Sequence, residues 1–179
     1  MMSGTVLIIP GLSGSGAAHW QSHWEKLLPN AIRVEQSDWE NPKRTPWVER
    51  LAAAIERHPD AVLVAHSLGC ALVANTVNQD PPTKVRAALL VSPTDVDRRT
   101  LNEDPLREFA PMPLDRFPFR TIVAASRNDP YVDFERAAFF AEVWGAELVD
   151  VGDKGHINAD SGLGDWPEGL AILERLMAS

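Results

Sequence analysis

The stretch AVLVAHSLGCALVANTV, residues 61–77, constrains the fold more than any other part of the chain. Residues 61–65 form a short, wholly apolar run with Val at alternate positions, and the residues from Leu68 onward are rich in Ala and Leu at helical spacing. A strand covered by helices above and below reads as a continuous apolar run, because both of its faces are dry. Such a strand turns here directly into a helix at one serine, Ser67, with His66 before it and Gly69 two places after.

The same alternation runs along the whole sequence. Strand-like runs fall at 5–9, 31–35, 61–65, 87–91, 121–125 and 147–151. Helical runs fall at 18–28, 46–57, 68–78, 132–144 and 167–177. Pro46 and Pro167 suit a first helical position, and Thr45 before the former is a good cap. Alternating strands and helices imply an α/β layer architecture with a mostly parallel six-stranded sheet. Right-handed crossovers put helices on both faces, and ligands gather at the carboxyl ends of the strands. Residues 92–118 resist the pattern, with Pro93, Pro105, Pro111, Pro113 and Pro118 among many charges. They predict a long loop with a short helix near 100–109, and a loop of that length is often functional.

A length of 179 residues suggests a single domain spanning residues 1–179, large enough to bury a core. The net charge of −8 argues against binding nucleic acid or an anionic membrane surface. Cys70 is the sole cysteine, so no intramolecular disulfide forms, which fits a reducing compartment. The apolar run near the N-terminus is too short for a signal sequence, and nothing approaches the roughly 20 apolar residues of a membrane span. The expectation is a cytoplasmic protein.

A strand-to-helix turn at serine has a chemical use. The strained backbone lifts the hydroxyl above the sheet edge. The helix N-terminus directs its amides to the same place, where they stabilise an oxyanion. Small residues two before and two after the serine let strand and helix approach. Gly69 fills the second position, and Ala65 stands where the motif G-x-S-x-G has glycine. A serine that merely caps a helix is the simpler alternative.

A nucleophilic serine needs a base, and the base needs an orienting acid. In one known chain order the serine comes first, then Asp or Glu, then His. Strand 121–125 runs into SRNDPYVD and places Asp129 in the loop beyond it. Strand 147–151 runs into GDKGHIN and places His156 in the next loop. Taken singly, Asp129 before Pro130 is a turn starter and His156 a loop histidine. Together with Ser67 they stand at three strand ends in the required order. Asp95 in SPTDVD is the rival acid. The other histidines, His19, His23, His58 and His66, all precede Ser67, and His66 is expected to point away from it.

The first strand ends in IIPGLSGSGAAHW. Gly11, Gly14 and Gly16 miss the register of the dinucleotide fingerprint. Gly11 and Gly16 have phosphate-loop spacing, but Ala17 and Ala18 replace the lysine and hydroxyl that hold phosphate and magnesium. The loop instead suits a second oxyanion donor, the backbone amide of Leu12, beside that of Leu68. His19 and His23 share a helical face with Trp20 and Trp24, and no acidic residue completes a metal motif. Cys70 reads as a buried core thiol.

These residues resemble a known family. IIPGLSGSGAAHW, the HSLG turn, SRNDPYV and GDKGHIN are similar to those of the small α/β-hydrolases related to retinoblastoma-binding protein 9 and the YdeN-type serine hydrolases, over essentially the whole chain. The resemblance implies a compact α/β-hydrolase fold without a large lid. It implies a triad of Ser67, Asp129 and His156, no cofactor, and hydrolysis of small or medium acyl esters. The retinoblastoma-binding motif L-x-C-x-E is not carried over, because Leu72 stands where it needs glutamate. Trp39, Trp47 and Trp166 are candidates to shape an acyl pocket, or else to pack the core. A non-catalytic interaction module on the same fold is the alternative reading.

Overall fold

The computed structural model describes residues 4–77, 84–99 and 104–178. Six strands form one sheet: β1 (Val6–Ile9), β2 (Ala31–Arg33), β3 (Ala61–His66), β4 (Val85–Val91), β5 (Arg120–Ala125) and β6 (Glu147–Asp150). Their order is β2-β1-β3-β4-β5-β6, and every neighbouring pair is parallel. The helices are α1 (Trp20–Leu27), α2 (Arg44–Arg57), α3 (Leu68–Val77), α4 (Phe134–Trp144) and α5 (Pro167–Met177).

The apolar runs are continuous because both faces of the sheet are covered. Leu7, Ile9, Leu63, Ala65, Leu90 and Val123 join the core beneath α2, α3 and α4. Their sequence neighbours Val6, Ile8, Val62, Val64, Leu89 and Ile122 join a second core beneath α1 and α5. Each strand therefore alternates between two dry layers rather than between core and water. Helix α3 lies over the centre of the sheet and is buried along nearly its whole length.

The element boundaries differ from expectation where local chemistry intervenes. Helix α2 starts at Arg44, before Pro46, with Lys43 as its cap. A proline is tolerated there because the amides of a first turn have no intrahelical acceptor to satisfy. Helix α1 starts at Trp20, because the His19 side chain accepts the Gln21 amide and caps it. Helix α4 starts at Phe134 after an Asp133 cap, and Val132 is packed in the core ahead of it. Edge strand β2 stops at Arg33. The predicted end of α3 at Asn78, and residues 100–103 of the expected loop helix, lie outside the described residues. Within the long loop, a short 3-10 turn runs over Pro105–Phe109, capped by the Asp104 side chain on the Leu106 amide.

Candidate active site

The junction of β3 and α3 is as abrupt as the sequence suggests. Ser67 has φ of +58°, in the left-handed region that a serine enters only under strain. Two backbone hydrogen bonds hold it there: its amide donates to Val91 O and its carbonyl accepts from the Cys70 amide, both at 3.0 Å. Gly69 shows why the next turn needs glycine. A Cβ there would lie 2.4 Å from Ile9 O and 3.1 Å from Pro10 O. The helix thus rests directly on the backbone of β1. Ala65 is wholly buried in the middle of the sheet, registered with Ile9 and Leu90.

Ser67 Oγ lies 2.8 Å from His156 Nε2. On the other side of that ring, Nδ1 lies 2.9 and 3.0 Å from the two carboxylate oxygens of Asp129. Asp129 is buried, and it also accepts the Tyr131 amide at 2.8 Å. The rival acid Asp95 is engaged elsewhere, 3.3 Å from Arg136. The structure therefore brings together the three side chains expected from chain order and leaves Asp95 out.

The loops carrying Asp129 and His156 are stapled to each other. Asn128 accepts from the Ser126 hydroxyl and from the Gly155 amide, and Ser126 accepts the Lys154 amide. The segment around His156 is also tied to the opposite side of the site. Trp20 Nε1 donates to Ile157 O at 2.7 Å, and His66 Nε2 donates to His156 O at 2.8 Å. The His66 ring packs 4.9 Å from that of His156, on the wall of the same cavity. Its Nε2 is spent on the backbone of His156.

His19 borders this cavity too, at 4.6 Å from His66. Burial, reinforced by the charge of Arg33, pushes its pKa down to about 3, and burial lowers that of His66 as well. Both rings are neutral at pH 7. His23 pairs with Asp165 at 2.7 Å, so the histidine that caps α1 and the one within it serve different partners. Among the described residues, no group of three or more His, Cys, Asp or Glu side chains is arranged to hold a metal ion. Burial also raises the pKa of the Cys70 thiol well above its ordinary range, as expected for a core thiol.

The first loop lies against the turn of Ser67. A Cβ on Gly11 would be 2.9 Å from the Leu68 amide nitrogen, so the Gly11–Leu12 backbone borders the start of α3. Ser13 donates its amide to Trp39 O and Gly14 its amide to Gly11 O. Leu12 and Leu68 are the first residues of a short 3-10 turn and of α3, positions whose amides have no acceptor within their own helix. The Ser13 and Ser15 hydroxyls are bonded to Glu40 and Gln21, and Arg33 holds the Gly14 carbonyl. The loop is braced rather than loose.

A cavity of about 300 Å³ opens over Ser67, walled in part by Leu12, Leu106 and Tyr131. A second, more open depression of about 660 Å³ adjoins it and shares Tyr131, His156, Asn158 and Asp160 with it. The Tyr131 ring sits 4.5 Å from the imidazole and borders both spaces. The tryptophans do not line either space. Trp47 of α2 is core with Trp39 packed edge-on against it, and Trp166 stacks on Trp24 of α1 and meets Trp20 edge-on. Their large apolar area serves helix-sheet packing, the alternative held open for them.

A family model described as serine hydrolase matches residues 6–175. A putative YdeN-like hydrolase from Pectobacterium atrosepticum is 32% identical, covering 97% of this chain and 90% of that one, with a TM-score of 0.84. The ydeN gene product of B. subtilis is 25% identical, covering 99% and 100%, with a TM-score of 0.82. A butyrate-bound thermophilic esterase from Thermogutta terrifontis shares the fold at 17% identity, covering 98% and 82%, with a TM-score of 0.66. No curated protein sequence matches the chain. With its six-stranded parallel sheet, its strained serine and a match over nearly its whole length, the chain belongs to the serine hydrolase family and has the α/β-hydrolase fold.

Proposed function

We propose that the protein hydrolyses small or medium carboxylic acyl esters through a covalent acyl-enzyme on Ser67. The observation that carries this reading is the unbroken hydrogen-bonded chain from Ser67 through His156 to Asp129 at the floor of an open cavity. Asp129 accepts the Nδ1 hydrogen and so leaves the lone pair of Nε2 facing Ser67. His156 takes the hydroxyl proton as Ser67 attacks the ester carbonyl. The amides of Leu12 and Leu68 donate to the oxyanion that forms. His156 then gives its proton to the departing alcohol. Water, deprotonated by the same imidazole, releases the acid.

A cavity of about 300 Å³ is at the small end of ligand sites and suits a short acyl group. The adjoining depression offers room for a second portion of the substrate. The reading needs no cofactor, and it assigns no nucleic-acid or membrane partner. No described helix is long and apolar enough to cross a membrane.

Turnover of p-nitrophenyl esters from acetate to decanoate tests it. The wild type is expected to prefer the shorter chains. Ser67→Ala and His156→Ala are expected to lose about a thousandfold or more. A folded wild type that turns over none of the series would refute ester hydrolysis and favour a binding role.

A further inference from the structure

The hydroxyl of Thr94, a residue only 1% exposed, lies 2.7 Å from Ser67 Oγ. Nothing in the sequence pointed to this residue. It is brought over Ser67 by the turn that ends β4, where Ser92 has φ of +48° and donates its amide to Ala124 O. The segment is then fixed by the Val96 amide on Thr94 O at 3.0 Å.

The direction of the Thr94 bond follows from its neighbours. His156 Nδ1 faces a carboxylate on both oxygens and therefore carries the ring hydrogen. Nε2 is then an acceptor, and the only hydrogen on Ser67 Oγ points to it. A second hydrogen bond at Oγ must consequently be donated by Thr94.

We infer that Thr94 is a further catalytic residue whose hydroxyl stabilises Ser67 Oγ as the leaving group when the acyl-enzyme breaks down. The inference rests on Ser67 being the nucleophile, as proposed above. In the free enzyme Thr94 already donates to Oγ, so attack on substrate gains little from it. In the acyl-enzyme Oγ is an ester oxygen and a poor acceptor. When water has added and the carbon–Oγ bond breaks, its electron pair returns to Oγ, and His156 supplies the proton. Negative charge develops on Oγ during that step, and the Thr94 bond strengthens with it. An interaction stronger in the transition state than in the preceding intermediate accelerates that step selectively.

The test compares wild type, Thr94→Val, Thr94→Ala and Thr94→Ser by rapid-mixing kinetics on p-nitrophenyl acetate, with fluorophosphonate labelling to count reactive serines. Loss of the hydroxyl in Thr94→Val is expected to slow deacylation about tenfold, with a much smaller effect on acylation. The acyl-enzyme then accumulates, visible as a burst of p-nitrophenolate and as an acetyl adduct in the intact mass. Thr94→Ala carries the same expectation without a second branch at Cβ, and Thr94→Ser is expected to retain the wild-type balance. Parallel loss of both steps, or no change in their ratio, would overturn the role of Thr94 while leaving Ser67 as nucleophile. A wild type that takes no fluorophosphonate would overturn both.

Discussion

Replacing Gly69 by alanine tests how the site is built. The added methyl would lie 2.4 Å from Ile9 O, where ordinary contact begins at 3.4 Å, so helix and strand must separate by about 1 Å. The obstacle is backbone of the buried strand β1 rather than the end of a flexible side chain. The cost is therefore expected at the upper end for overpacking, about 3 kcal/mol. With a urea slope of about 2 kcal/mol per molar, the unfolding midpoint falls by about 1.5 M. The same displacement moves Pro10 and Gly11, and with them the Leu12 amide, relative to the Leu68 amide. Misplacement of catalytic groups by this amount costs up to about a hundredfold in rate. Urea unfolding followed by tryptophan fluorescence and ester turnover, measured on one preparation, report the two effects. A Gly69→Ala protein with its midpoint within about 0.3 M of wild type and undiminished turnover would refute the close-approach argument.

Three further outcomes follow from the geometry. Asp129→Asn, which keeps the shape but reverses the imidazole tautomer, is expected to lower kcat by about three to four orders of magnitude, whereas Asp95→Asn stays within about threefold of wild type; comparable losses in both would mean that the acid has been misassigned. His19 and His66 are held neutral by burial, so their ring resonances in a nuclear magnetic resonance titration are expected not to move between about pH 5 and pH 8; an inflection near pH 6.5 in either would contradict it. The same two groups take up protons more readily when unfolded, so stability rises with pH and drops by about 3 kcal/mol in all from pH 7.5 to about 5.5, measured as a shift in urea midpoint.

Much of this site is visible in the sequence because strand ends are legible there. Ser67, Asp129 and His156 each follow an apolar run of strand length, and a parallel sheet puts such positions on one edge. Chain order then does the rest. Gly69 is likewise readable, since its role is local to the turn. What is not readable depends on distances that only packing sets. Thr94 lies 27 residues from Ser67 in the chain, and nothing in SPTDVD marks its hydroxyl rather than the Asp95 carboxylate. His66 alternates away from Ser67 along β3, yet it meets His156 because the loop after β6 folds back over the strand ends. The tryptophans are ambiguous for a related reason. Their size suits either a pocket or a core, and only the position of α1 and α2 against the sheet decides for the core.

The central claim is that Ser67 is an activated nucleophile. Intact-mass analysis after treatment with a fluorophosphonate tests it most directly, on wild type, Ser67→Ala and His156→Ala. The account predicts one adduct on wild type and none on either folded variant. A folded wild type without an adduct, or an adduct that persists in Ser67→Ala, would contradict it.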